Sequence, residues 1–125
     1  MQYICYFVSL TILILNSIKM KMLVNVVFPI EPFNSMVRNG TVGEIIGRVI
    51  DEIKPVSIYF SEQDGNRGAV MVVEVPNAAA IPSIVEPWFL NFEASCKFGI
   101  AMTPDDLIRA NLSKLAEKWN GVHSN

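Results

Sequence analysis

The segment QDGNRG, residues 63–68, constrains the fold more than any other stretch of the chain. It places an Asp-Gly pair between two β-type segments, PVSIYFSE before it and AVMVVEV after it. Asp-Gly between alternating apolar residues is a strong hairpin signal, because both residues tolerate the positive φ angles of tight hairpin turns. We therefore expect an antiparallel strand pair in the middle of the chain, joined by a turn of six residues or slightly fewer.

A strand and a helix are predicted ahead of this hairpin. Residues 22–28, MLVNVVF, are apolar and largely β-branched with one polar break, which is typical of a central strand. Residues 42–53 place their apolar side chains at helical spacing, and Thr41 with Glu44 has the spacing of a capping box. Residues 32–39 fit either an earlier helical turn or a loop.

A second helix and strand are predicted after the hairpin. Residues 77–92 contain good helix formers, but two prolines within them indicate two short helical pieces. Residues 94–102, ASCKFGIAM, alternate with the period of a strand. Residues 103–119 predict a further helix, in which Thr103 is a candidate cap and Pro104 suits the first helical position.

The predicted order is strand, helix, strand, strand, helix, strand, followed by one extra helix. This is the ferredoxin-like βαββαβ arrangement of the α+β class. A chain of 125 residues has room for a single hydrophobic core. We therefore expect one ferredoxin-like domain over residues 22–119, preceded by an apolar extension at residues 1–21 and followed by a tail at residues 120–125.

The N-terminal extension has no charged side chain before Lys19. The apolar stretch from Tyr3 to Ile18 is shorter than the ~20 residues that a membrane-spanning helix needs. It fits a start codon assigned too early, a membrane segment or a cleaved signal peptide. We expect a cytoplasmic domain, with a membrane anchor through this segment as the alternative; Lys19 and Lys21 would then keep the domain on the cytoplasmic side.

Two inner helices can cover only one face of a four-stranded sheet. On the strand before the turn, Ile58 and Phe60 point towards one face. Tyr59 points towards the other, together with the serines two positions before and after it. This second face is half polar, so it must meet water, the C-terminal helix or another sheet. We expect a homodimer that pairs the open faces and encloses a small cavity in each subunit.

Composition excludes several classes of function. The net charge of -2 and the absence of a Lys/Arg cluster argue against a nucleic-acid surface. The only histidine, His123, is in the tail, and no group of residues has metal-ligand spacing, so we expect no metal and no cofactor. Cys5 and Cys96 lie in unlike contexts, which argues against a disulfide; Cys96 is interpreted as a small strand hydrophobe.

Four motifs carry a resemblance to known proteins: FPIEPFN (28–34), YFSEQDGNRG (59–68), EPWFLNF (86–92) and AMTPDDL (101–107). The chain resembles the dimeric α+β barrel superfamily, which includes muconolactone isomerase-like, chlorite dismutase-like and antibiotic-biosynthesis monooxygenase-like proteins. It is more closely similar to short bacterial proteins of unknown function that are sometimes labelled pantothenate synthetase. The residues argue against that activity, because the chain has no glycine-rich phosphate loop and no histidine-containing phosphate motif.

The resemblance implies a homodimer with a ligand cavity lined by a few polar side chains. The candidate ligand-binding residues are Asn34, Arg38, Tyr59, Glu62, Glu86 and Trp88. We assign no catalytic residue, and an exposed salt bridge between Asp64 and Arg67 accounts for these two charges beside the turn. We predict a small-molecule-binding or structural domain; the alternative is a cofactor-independent isomerase or monooxygenase acting on a small aromatic or lactone substrate. A cavity with Tyr59 beside a carboxylate would favour the enzyme.

Overall fold

The computed structural model describes residues 19–120, so most of the predicted N-terminal extension and of the tail lies outside the described residues. The elements are β1 (Met20–Phe28), α1 (Ile30–Arg38), α2 (Val42–Ile53), β2 (Ser57–Gln63), β3 (Asn66–Val75), α3 (Ile81–Phe92), β4 (Ser95–Ala101), α4 (Pro104–Ala110) and α5 (Leu112–Asn120). All strand pairs are antiparallel, in the order β2-β3-β1-β4. The α+β class and the ferredoxin-like sheet are confirmed.

Strand β1 lies in the middle of the sheet and pairs with both β3 and β4. Alternate side chains from Met22 to Phe28 are buried under the helices, while Leu23 and Asn25 point to the open face and are exposed. This alternation follows from the pleat, in which successive side chains point to opposite faces. The face that the helices cover is therefore the core, and the other face is not covered by any described element.

The predicted hairpin is present with a turn of only two residues. Gln63 pairs with Asn66, and between them Asp64 and Gly65 have φ angles of 51° and 81°. Positive φ at both positions is the geometry of the turn that matches the right-handed twist of the strands. The register then places Phe60 opposite Ala69 on the helix-covered face, which confirms the predicted alternation along β2.

The helices before the hairpin correct one prediction and decide another. Residues 32–39 were predicted to form either a helical turn or a loop, and all but Asn39 belong to α1. The predicted capping box at Thr41 and Glu44 is wrong: the Thr41 backbone is already helical, and its side chain makes no cap hydrogen bond. The Thr41 hydroxyl donates to the Asn39 side-chain oxygen at 2.6 Å, and with the Thr41 backbone already helical the hydroxyl oxygen accepts no N–H of α2.

Helix α3 does not break at its internal proline. A 3₁₀ turn at Ala78–Ala80 leads into one helix that continues through Pro87, so the expected proline break is wrong. The buried side chains of α3 stand on both sides of this proline, from Ile84 to Phe92. Their packing offsets the hydrogen bond that proline removes from a helix interior.

The C-terminal segment forms two helices where one was predicted. Thr103 caps α4 in a capping box with Asp106, as expected. Asn111 then adopts the left-handed conformation at φ 53°, which asparagine tolerates better than most residues, and the helix ends there. We call residues 104–120 the C-terminal arm. Neither of its helices has a buried residue, and the exposed apolar side chains are Leu107, Ile108, Leu112, Leu115 and Trp119.

An aromatic cluster fills the end of the core beneath β1. The ring of Phe28 lies 5.2 Å from that of Phe33, 5.8 Å from that of Trp88 and 5.1 Å from that of Phe92, all edge to face. Trp88 is fully buried, and its indole N–H finds no acceptor among the described residues. Among residues 19–120, no helix is both long and apolar enough to cross a membrane.

Replacing Trp88 should show how far the fold depends on this cluster. Trp88→Ala is expected to lower the free energy of unfolding by about 3–5 kcal/mol, because a large buried side chain leaves a cavity. Urea unfolding followed by circular dichroism measures this change. Leu90→Ala, at an exposed position of the same helix, is the matched control and should stay within about 0.5 kcal/mol. A loss below about 1 kcal/mol for Trp88→Ala would contradict the core position.

Candidate functional site

A cleft of about 570 Å³ opens at the end of the sheet where β1 finishes and the β2–β3 turn begins. One side is formed by Phe28 and by Phe33 of α1; the other is the hairpin, from Phe60 to Gly68. Two smaller hollows occur elsewhere: one of about 320 Å³ between α2 and α3, and one of about 240 Å³ on the open sheet face. The hairpin cleft has the largest volume of these three, and its lining combines aromatic side chains with the charges of Arg67 and Glu62.

Two of the four motifs that carry the resemblance line this cleft, and a third packs behind it in the core. The segment at residues 28–34 supplies Phe28 and Phe33, and the segment at residues 59–68 supplies the hairpin wall. Trp88 and Phe92, from the third motif, pack against Phe28 inside the core. Each motif is visible separately in the sequence, but the meeting of the first two depends on the register of β1 and β3, which pairs Phe28 with Arg67.

The hairpin wall requires glycine at position 68. A Cβ atom there would lie 2.7 Å from Cγ of Gln63 and 2.9 Å from the carbonyl oxygen of Ser61. The Gln63 side chain folds back to donate to the Ala69 carbonyl at 3.2 Å, which holds the wall in this shape. The hairpin therefore approaches itself too closely for any other side chain at this position.

Arg67 places a positive charge in the cleft. Its guanidinium carbon lies 4.4 Å from the centroid of the Phe33 ring, within the range of a cation–π contact. The predicted salt bridge to Asp64 is wrong: among the described residues, no carboxylate lies within 4 Å of the Arg67 side chain. The reason is the register, since Arg67 pairs with Phe28 and so points to the helix-covered face, whereas Asp64 lies in the turn.

Two carboxylates lie near this charge, and each already has partners in the chain. Oε1 of Glu62 accepts the Gly65 backbone N–H at 2.7 Å, which ties it to the turn. Glu31 accepts the Ser35 hydroxyl at 2.7 Å and the Ser35 N–H at 3.2 Å, and Arg38 lies 3.7 Å away. The Ser35 hydroxyl holds the pKa of Glu31 below its usual value, and the charges of Arg38 and Arg67 act in the same direction.

The six residues predicted to bind a ligand do not form one site. Glu62 alone among them lines the cleft. Asn34 and Arg38 are on α1, and Arg38 is exposed in its ion pair with Glu31. Glu86 is exposed on α3, and Trp88 belongs to the core. The aromatic side chains and Arg67 were missed because helical and strand periodicity assigns them to packing or to solvent.

Tyr59 lies on the open face of the sheet, away from the cleft. It is paired with Val70, whose partner on β1 is Asn25, and it is 68% exposed beside the 240 Å³ hollow. Glu62 occupies the opposite face, because it is an odd number of residues further along β2. The Tyr59–carboxylate pair that would favour an enzyme is therefore not formed by these two residues.

Metal and thiol chemistry gain no support from the described residues. Within residues 19–120 there is no group of three histidine, cysteine or acidic side chains placed to hold a metal ion. Cys96 is half-buried, and this burial raises the pKa of its thiol to about 11. The thiol therefore stays protonated near neutral pH and packs as a small apolar side chain.

Comparison with other proteins adds no identification. No protein-family model matches the chain, and no curated protein matches it either. The assignment of function therefore depends on the geometry of the cleft and of the open sheet face.

The Glu31–Ser35 contact gives a prediction about pH. Folding favours the ionised form of Glu31, so its contribution to stability is present above the unfolded-state pKa and is lost as the pH falls through the lower folded-state pKa. Ser35→Ala should raise the pKa of Glu31 towards its ordinary value, as measured by NMR titration of the side-chain carboxyl carbon. Ser83→Ala removes a hydroxyl that donates to the Ala80 carbonyl and is the control. An unchanged titration of Glu31 in Ser35→Ala would contradict the assignment.

Proposed function

We propose that the protein is a homodimeric small-molecule-binding domain and that the hairpin cleft is its binding site. The observation that carries this proposal is the combination, in one cleft, of an aromatic wall and an arginine with no ion-pair partner among the described residues. Small-molecule sites are typically concave and mostly apolar, with a few polar groups that orient the ligand. Membership of the dimeric α+β barrel superfamily is part of the same proposal.

The size and lining of the cleft suit a ligand with one or two rings. Its volume of about 570 Å³ is within the usual range of ligand pockets, roughly 300–1,000 Å³. Phe33 and Phe60 offer aromatic surface, with the buried Phe28 behind Phe33, and Phe60 is half-exposed at the rim. An apolar ligand that covers Phe60 would remove this surface from water, which is the main favourable term in such binding.

The alternative of a cofactor-independent isomerase or monooxygenase has less support. Acid–base chemistry needs a titratable group within hydrogen-bond reach of the ligand and able to exchange a proton. Oε1 of Glu62 accepts the Gly65 N–H, and the lowered pKa of Glu31 makes it a weak base that does not line the cleft, so neither is well arranged as a base. Tyr59 lies on the other side of the sheet. These placements favour binding over catalysis.

The dimer is proposed from apolar surface that the chain does not cover itself. Leu23, Val70 and Tyr59 form an exposed patch across the three strands β1, β3 and β2 of the open face. The C-terminal arm adds five apolar side chains that are 42–75% exposed, and it leaves the sheet from β4, beside the start of β1. A stable interface buries roughly 800 Å² on each partner, so the proposed dimer covers both surfaces. A cytoplasmic location stays a prediction.

A neutral fluorescent probe tests the binding site. The full chain should bind N-phenyl-1-naphthylamine, and Phe60→Ala should weaken this binding about 10-fold, because the rim loses aromatic contact area. Phe98→Ala is the matched control: Phe98 is 46% exposed against 51% for Phe60, on the same face of the sheet but on the far edge strand. Equal affinities of the two variants would contradict the proposed site.

Light scattering tests the dimer. The full chain at micromolar concentration should have the mass of a dimer, and Leu23→Lys should shift it to monomer by placing a charge in the middle of the open face. Leu90→Lys puts the same charge on an exposed leucine of α3 and should leave the dimer intact. A monomeric unmodified chain would overturn the proposed assembly.

A further inference from the structure

We infer that the ligand of the hairpin cleft is an apolar anion, an aromatic or aliphatic molecule whose carboxylate or similar group pairs with Arg67. This inference depends on the proposed function, because it names the chemical class that the proposed site takes. If the inference holds, the cleft selects ligands that carry a negative charge; otherwise it accepts any apolar molecule of suitable size.

Arg67 is placed to receive an anion. Arg38 pairs with Glu31, whereas Arg67 has no carboxylate within 4 Å among the described residues. Other cations, such as Arg48, also have no such partner, but Arg67 is the one that lies in the hairpin cleft against an aromatic ring. Contact with an aromatic ring engages the face of a guanidinium and leaves its in-plane N–H groups able to donate. The Phe33 ring therefore holds Arg67 in place without consuming its hydrogen-bonding capacity.

The carboxylates of the chain itself do not take the place of that ligand. Glu62 is the cross-strand neighbour of Arg67, yet its Oε1 accepts the Gly65 N–H. Glu31 is close enough for the Arg67 charge to affect it, but its oxygens are directed to Ser35 and Arg38. The charges of Glu62 and Glu31 offset the positive charge of Arg67, so selection depends on direct contact with the guanidinium, and we expect only moderate affinity.

The aromatic wall defines the rest of the ligand. Phe33 presents its ring to the cleft and packs edge to face at 5.2 Å on the buried Phe28, and Phe60 lies across from Phe33 on the hairpin. A flat or aliphatic body fits between these surfaces while its anionic end reaches the guanidinium edge. A cationic ligand would be repelled by Arg67, and a polyphosphate would need more donors than one arginine offers.

A pair of probes that differ by one charged group tests the inference on the full chain. The sulfonate 1-anilinonaphthalene-8-sulfonate and the neutral N-phenyl-1-naphthylamine share the same rings. The unmodified protein should bind the sulfonate about 10-fold more tightly. Arg67→Met should remove this preference and leave the affinity for the neutral probe within about twofold. Raising the salt concentration should weaken the binding of the sulfonate but not that of the neutral probe, and only when Arg67 is present.

Control variants identify the source of any change. Arg48→Met removes a charge from the separate hollow between α2 and α3 and should keep the preference of the unmodified protein. Arg67→Gln, which keeps a donor without the charge, repeats the test if Arg67→Met does not fold by circular dichroism. An unchanged preference in a folded Arg67 variant would overturn the inference. Binding of both probes with equal affinity, still weakened by Phe60→Ala, would overturn it and leave the proposed function standing; no binding of either probe would overturn both.

Discussion

The contact of Phe28 with Phe33, Trp88 and Phe92 joins β1, α1 and α3 at one end of the sheet. Because these rings interdigitate, they fix the positions of α1 and α3 relative to the end of β1. Such edge-to-face pairs contribute about 0.5–1.5 kcal/mol each beyond the burial of their area. The same cluster forms the floor of the core and, through Phe28 and Phe33, one side of the cleft. The same residues therefore stabilise the fold and contribute to the candidate site.

The other side of the cleft depends on the strand register. A two-residue turn at Asp64 and Gly65 sets the pairing of β2 with β3, and the pairing of β3 with β1 then brings Arg67 opposite Phe28. A shift of one residue would turn Arg67 to the open face, since neighbouring side chains of a strand point to opposite faces. The charge in the cleft is thus a consequence of turn geometry as much as of residue type.

Much of the fold was predictable because its signals are local. The Asp-Gly turn, the alternation along β2 and the Thr103 cap each depend on residues within a few positions of one another. The predictions were wrong where a contact in the folded chain outweighed a local sequence signal. Thr41 bonds to Asn39 instead of capping α2, and α3 continues through Pro87 because buried side chains on both sides of it hold the helix together. The break at Asn111 had no distinct signal in the apolar stripe.

The sequence by itself determined the class of the fold, the order of its elements and the identity of the hairpin, since periodicity and turn chemistry act over short distances. Only the tertiary structure decided which polar residues meet. Of the six predicted ligand-binding residues it brings Glu62 to the cleft, while Tyr59 goes to the opposite face and Trp88 to the core. Arg67 gains its position from pairing with a strand nearly forty residues away in the chain. That contact depends on register and packing, which no short stretch of sequence encodes.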